Sequence, residues 1–384
     1  MQQLRCQECH RVLNPAEPHW RCPCGGVLDL DFTPRFDRAA IASRPWDLWR
    51  YREALPVAAG AEVSLGEGCT PLVPLTVPMH GGREVLVKQE QLFPTGSFKD
   101  RGAAVLVSKL RELGLSEVVE DSSGNAGAAV AAYCARAGIG CRILAPASTS
   151  AAKLAQIGLY GAELVRVPGD REATARAALE AAEHLFYASH AWSPYFFHGT
   201  KTFAFELAEQ LGWTAPEALV LPAGNGTLLL GAWLGFRELL QAGMVGRMPR
   251  LVAVQSAACA PLAQAFAMGS REPAEVQASP TLAEGIAVAR PARGRQMLAA
   301  VAESGGSFLT VNDDEIRQAL RLAARQGFCV EPTAAAALAG TLRYLGEIEN
   351  TEGKKRQATL TTVDVVTVFT GHGLKAADKL ATLM

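Results

Sequence analysis

Three times in this chain an apolar, strand-like run ends in a small-residue loop that opens directly into a helical pattern. Glu84–Gln89 leads into Phe93-Pro-Thr-Gly-Ser-Phe-Lys-Asp-Arg101. Glu117–Glu120 leads into Asp121-Ser-Ser-Gly-Asn-Ala-Gly127, and Leu219–Leu221 into Pro222-Ala-Gly-Asn-Gly-Thr-Leu228. The alternation continues through Cys141–Ala145, a helix from Ser150 to Leu159, Leu164–Val167 and an alanine-rich helix to His184. Gly305 to Leu345 reads as strand, helix and a turn at Glu331-Pro-Thr333 into another helix, and Val363–Phe369 as the last core strand. Strands that alternate with helices imply parallel sheets wound on both faces. Such sheets place ligand chemistry at the carboxyl ends of their strands, where these loops fall.

With 384 residues the chain exceeds one ordinary core, so two α/β lobes plus an appendage are expected. A net charge of −1 gives no electrostatic reason to bind nucleic acid or an anionic membrane. No apolar run has membrane-spanning length, and the first residues lack the basic-then-apolar order of a signal peptide, so a cytoplasmic protein is expected. Five of the nine cysteines are scattered through alanine-rich or apolar segments, as reduced thiols would be.

The other four cysteines are clustered. Cys6-Gln-Glu-Cys9 is followed, after twelve residues, by Cys22-Pro-Cys24-Gly-Gly26. Two close pairs, the second ending in a Gly-Gly knuckle, suit four thiolates around a structural zinc. Leu4, Val12, Leu13 and Trp20 are too few for a core, so a metal or a partner must hold this module together. His10 and His19 are possible substitute ligands or ordinary exposed residues. Between Thr33 and Gly60, Trp46, Trp49 and Tyr51 are spaced as on one face of a short docking helix.

Each loop admits a chemical and an ordinary reading. Lys99 near a helix start can lose its proton in a crevice and form a Schiff base; it can equally belong to a solvated Lys-Asp-Arg cluster. Asn125 can offer its amide to a phenolate or carboxylate, or Ser122, Ser123 or Asn125 can simply cap a helix. Gly224-Asn-Gly-Thr-Leu228 presents free N–H groups at a helix start, a cradle for a small monophosphate. It has neither the lysine of a P-loop nor the spacing of a dinucleotide fingerprint. In Leu65-Gly-Glu-Gly-Cys-Thr-Pro-Leu72 the glycines permit close backbone approach, and Thr70 has a hydroxyl to donate. Thr370, in Thr370-Gly-His-Gly-Leu-Lys375, could donate to an unprotonated ring nitrogen.

A Schiff-base lysine, an amide for a phenolate, a monophosphate cradle and a hydroxyl for a ring nitrogen describe pyridoxal phosphate. The chain resembles the tryptophan-synthase-β, or fold-type-II, class of pyridoxal-phosphate enzymes, and within it the threonine synthases. The resemblance rests on Gly66-Glu-Gly-Cys-Thr-Pro-Leu72, Ser97-Phe-Lys-Asp-Arg101, Ser122-Ser-Gly-Asn-Ala-Gly127, Gly224-Asn-Gly-Thr-Leu228 and Thr370-Gly-His-Gly-Leu-Lys375. It implies two doubly wound open-sheet lobes with an N-terminal zinc-ribbon-like module: residues 1–35 as the ribbon, 36–105 with 200–384 as the large cofactor-binding domain, and 106–199 as the small domain. It implies that Lys99 carries the cofactor, Phe98 packs on its ring and Asn125 bonds its 3′ oxygen. Gly224, Asn225, Gly226, Thr227 and Leu228 would hold its phosphate, and Thr370 would face its ring nitrogen. The implied reaction turns O-phospho-L-homoserine and water into L-threonine and phosphate, in a homodimer. Thr70, Ser97, Arg101, Ser122, Ser123 and Ser193 are the candidate substrate contacts.

One run departs from the pattern. The family's Ser-x-Asn-Pro-Tyr-Arg phosphate grip is represented by Ala191-Trp-Ser-Pro-Tyr-Phe196, and a lost bidentate arginine is not a conservative change. His198, Lys201 or Arg101 could compensate or be bystanders. The alternative enzyme is a serine/threonine dehydratase or another β-eliminating or β-replacing lyase. From a different class, a cofactor-binding regulator is disfavoured by intact Lys99, Asn125 and Thr370.

Overall fold

The computed structural model describes residues 2–357 and 364–381. In chain order the strands are β1 (Gln3–Cys6), β2 (Val12–Leu13), β3 (Leu28–Asp31), β4 (Leu72–Val77), β5 (Arg83–Lys88), β6 (Glu117–Glu120), β7 (Gly140–Pro146), β8 (Glu163–Val167), β9 (Phe186–Tyr187), β10 (Ala218–Pro222), β11 (Arg250–Ser256), β12 (Ser307–Val311) and β13 (Val365–Val368). Val363, the expected start of the last strand, lies outside the described residues. Among the described residues the strands form three sheets, β2-β1-β3, β8-β7-β6-β9 and β12-β11-β10-β13-β5-β4. The first is antiparallel, the second parallel throughout, and in the third only β4 runs against its neighbour. Helices join the parallel strands, giving the α/β class expected from the alternating pattern.

The chain falls into two compact units: residues up to Cys69 together with Phe93–Thr202, and Thr70–Leu92 together with the chain from Phe203 onward. The first unit is built on the helix Lys99–Glu112, against which the helices Asn125–Ala137 and Pro194–Thr200 pack. Small residues make the close crossing possible. A Cβ on Gly199 would lie 2.1 Å from the carbonyl oxygen of Arg101, and one on Gly102 would lie 2.2 Å from the Phe196 ring.

The N-terminal ribbon has few apolar residues because it shares a larger core. Leu4, Leu28 and Leu30 join Val105, Tyr195 and Phe196 in one buried cluster. Trp20 stands edge-on to Tyr187 and Trp192, with centroids 5.2 and 5.7 Å away. The aromatic connector is a 3-10 turn, Leu48–Ala54, which buries Trp49 and Tyr51. Trp46 precedes it and is 61% exposed, its ring covered by the Arg50 guanidinium at 4.0 Å.

In the second unit β10 is buried at every residue, as a central parallel strand must be. The helix Pro332–Gln357 crosses that sheet so closely that a Cβ on Gly340 would lie 2.3 Å from Val254. At the end of β5 the fully buried Lys88 ammonium meets the Glu206 carboxylate and donates to the Thr70 carbonyl. The same carbonyl accepts from Gln210 Nε2 at 2.9 Å, and the Thr70 hydroxyl lies 2.6 Å from the Glu90 carboxylate. This knot ties together three separate segments of the second unit. Lys88→Ala leaves Glu206 buried without its cation, and urea unfolding should report a loss of roughly 3–5 kcal/mol.

Candidate active site

In the first unit, Pro94 and Gly96, whose φ is +81°, turn the chain so that the Gly96 N–H reaches the Phe93 carbonyl at 2.8 Å. Asp100 then closes the loop on the helix. Its carboxylate accepts from the Thr95 N–H at 2.9 Å and from the Thr95 hydroxyl. Lys99 is thereby fixed as the first residue of the helix Lys99–Glu112, half-buried, with Nζ 4.7 Å from the Phe98 ring centroid and 5.7 Å from that of Phe196.

β6 ends beside it in Glu120. Asn125 opens the next helix, whose N-cap is Gly124, so none of Ser122, Ser123 and Asn125 serves as a side-chain cap. Gly127 lies against the chain: a Cβ there would sit 1.8 Å from the Ser122 carbonyl oxygen. Ser97 and Ser193 are buried, and neither hydroxyl bonds any described residue. Arg101 is buried with its guanidinium 3.1 Å from the Thr202 hydroxyl and 4.9 Å over the Phe93 ring. The Lys201 ammonium lies 4.8 Å over Phe32, and His198 meets the same ring edge-on at 5.7 Å. Phe196 is fully buried.

Four polar residues of this unit carry no sequence signal of their own. His190 Nδ1 lies 2.7 Å from Glu120 Oε1, and Arg171 meets Asp121 Oδ2 at 2.8 Å. Burial pushes the Glu120 carboxyl up to about 7, opposed by Arg171, backbone N–H groups and Lys99. Burial, followed by the Lys99 charge, holds His190 well below the usual imidazole range. Burial and the neighbouring Glu120 raise Asp121. The signal that finds them is topological: β9 pairs directly with β6, which brings together residues seventy positions apart.

In the second unit, β10 delivers Gly224-Asn225-Gly226 to the start of the helix Thr227–Gln241. Gly226 is the N-cap in the left-handed region, φ +72°, and a Cβ there would lie 2.0 Å from Met297 Sδ. A Cβ on Gly224 would lie 2.8 Å from the Gly285 carbonyl oxygen. Only glycine fits either place, and a glycine N-cap supplies no side-chain acceptor for the helix's first N–H groups. Thr227 and Leu228 are buried in that first turn. Thr370 is buried just beyond β13, with its hydroxyl 3.2 Å from Glu331 Oε1. The Glu331 carboxyl packs against the same loop: a Cβ on Gly371 would lie 2.4 Å from its carboxyl carbon. Thr70 lies in the Lys88–Glu206 knot, its hydroxyl committed to carboxylates.

Within the second unit, a helix start capped by glycine suits a phosphate and the buried Thr370 hydroxyl suits a ring nitrogen; within the first, a half-buried lysine beside aromatic rings suits a carbonyl. Each unit by itself thus offers groups that match one part of a phosphorylated pyridine aldehyde.

Residues 63–371 match the family described as pyridoxal-phosphate dependent enzymes. The chain is 35% identical to the threonine synthase of Methanocaldococcus jannaschii over 97% of its own length and 93% of the relative's. It belongs to the threonine synthase family. The threonine synthase of Methanosarcina acetivorans is 33% identical over 98% of this chain and 92% of its own. Among solved structures, the processed form of threonine deaminase isoform 2 from Solanum lycopersicum covers 92% of this chain and 90% of its own, with a TM-score of 0.70. At 21% identity that likeness shows the fold alone. As a member of the threonine synthase family the chain is a pyridoxal-phosphate-dependent lyase acting on a small amino acid. No helix among the described residues is long and apolar enough to cross a membrane.

The buried pair has a sign that can be measured. Glu120 holds its proton more tightly folded than unfolded, so its contribution is complete below its ordinary value of 4.5 and lost as pH rises through about 7. Glu120→Gln should remove that loss, up to about 3 kcal/mol of pH-dependent stability. Urea unfolding of both proteins across this range checks it.

Proposed function

We propose that this enzyme converts O-phospho-L-homoserine and water into L-threonine and phosphate, with pyridoxal phosphate held by Lys99. The observation that carries the reading is Lys99 itself, clamped at the first turn of a buried helix beside Phe98 in a near-full-length relative of threonine synthases. Asn125 would bond the 3′ oxygen and Phe98 would pack on the ring. The backbone of Gly224, Asn225, Gly226, Thr227 and Leu228 would hold the phosphate, and Thr370 would bond the ring nitrogen. When bound, the cofactor supplies an electron sink that acidifies the substrate's Cα–H bond. Lys99 Nζ moves the protons at Cα, Cβ and Cγ. The Cγ–O bond to phosphate breaks, and the oxygen of water joins Cβ.

On the substrate side, Ser97 and Ser193 offer buried hydroxyls that bond no described residue. Ser122, Ser123 and Arg101 complete the proposed contacts. With Phe196 where the family has arginine, hydroxyl and N–H donors take over the grip on the leaving phosphate.

Cys6, Cys9, Cys22 and Cys24 would hold one structural zinc. All four sulfurs lie within 4.8 Å of one another. Around a tetrahedral zinc with bonds near 2.3 Å they would stand about 3.8 Å apart. None of the nine cysteines is in a disulfide, which fits a reducing compartment, and we place the enzyme in the cytoplasm as a homodimer.

Phosphate release from O-phospho-L-homoserine, with product identification and with L-threonine and L-serine as competitors, tests the reaction. L-Threonine and phosphate are expected, and Lys99→Ala should abolish both turnover and the visible absorbance of lysine-linked cofactor. Keto acid and ammonia from the free amino acids, without phosphohomoserine turnover, would move the enzyme to the dehydratases. Elemental analysis should find about one zinc per chain, lost in Cys22→Ser, because four ligands complete the site.

A further inference from the structure

Glu120 and His190 lie near enough to Lys99 for its charge to act on both, and belong to none of the family motifs. Glu120 closes β6 and His190 follows β9, and the pairing of Val118 with Phe186 and Val119 with Tyr187 sets them side by side. Nδ1 and Oε1 are 2.7 Å apart, with His190 6% and Glu120 0% exposed. The His190 ring meets Phe196 at 6.0 Å, and Lys99 Nζ lies 5.7 Å from the same ring. Asp121 and Arg171 also face the pair, but they bond each other at 2.8 Å. The Tyr187 phenol, raised by burial, stays protonated.

Both partners resist charge because they are buried, and the Lys99 charge opposes an imidazolium while favouring the carboxylate. The couple therefore gives up or takes one proton near neutral pH. When the proton is absent, a carboxylate faces the amine and favours its ammonium form; when present, that counter-charge is gone.

We propose that Glu120 and His190 are positioning residues for Lys99: a buried, hydrogen-bonded carboxylate–imidazole couple whose proton sets whether Lys99 is an ammonium or a free amine. The proposal rests on the reading of Lys99 as the cofactor's lysine, and its test does not need the cofactor. Competitive acetylation of the cofactor-stripped full-length chain, followed at Lys99 by peptide mass spectrometry, gives the protonation midpoint of that amine. Glu120→Gln should lower the midpoint by about one pH unit, seen as roughly tenfold faster labelling at a fixed pH below it. His190→Phe, which removes the donor to the carboxylate, should shift it the same way, and His190→Asn, which keeps a donor, should restore it. An unmoved midpoint in Glu120→Gln overturns the proposal. If that variant does not fold, equal midpoints in His190→Phe and His190→Asn overturn it instead. Wild-type cofactor absorbance surviving in Lys99→Ala would sink the cofactor reading alone and leave the midpoint measurement standing.

Discussion

The first unit depends on a helix with no exposed face. Every residue from Asp100 to Leu110 is buried, so the helix cannot follow the amphipathic rule of a surface helix and must meet a different neighbour on each side. Charges survive there because each is answered. Asp100 accepts two hydrogen bonds from Thr95, and Lys109 pairs with Glu112 at 2.6 Å. Arg101 bonds Thr202. Residues so enclosed cannot shift without disturbing several contacts. The half-buried Lys99, one step before this stretch, inherits a fixed backbone.

The second unit has a different feature, a helix start whose loop carries no cation. The loop after β10 contains no lysine or arginine, and its two glycines sit where a Cβ would strike Gly285 or Met297. What it can offer is backbone N–H groups at a helix start, which cost little to organise because the fold already fixes them. Thr370 is held in a similar way, between the end of β13 and the carboxylate of Glu331.

The strand–loop–helix junctions were legible because each is local. Proline and glycine mark the turn at Pro94–Gly96, and the small-residue helix after Gly124 begins within a residue of where its composition says. The cysteine spacing likewise anticipated four sulfurs in one cluster. The ribbon's stability was less legible, because its core is supplied by Val105, Tyr195 and Phe196, far along the chain. The Glu120–His190 pair was invisible for the same reason: a histidine after one short strand and a glutamate ending another have no common periodicity. Thr70 looked available from its loop, yet its hydroxyl is taken by carboxylates from two other segments.

Phe196 shows how a single departure is read differently once its neighbours are known. In sequence it marks the loss of a phosphate-binding arginine. In the fold its ring presses on Gly102, where no side chain could fit, and it carries both His190 and Lys99 on its surface. A guanidinium in that enclosed place would need an anion to offset its desolvation; a phenyl ring needs none and gains from burial. Asp121 is answered by Arg171, whose guanidinium lies 2.8 Å from its carboxylate. The buried carboxyl of Glu120 has His190 as its partner at 2.7 Å, and the Lys99 charge opposes the rise that burial imposes. Phe196 therefore bears on more than the grip on a phosphate: its ring adjoins both Lys99 and the histidine that is bonded to the buried Glu120.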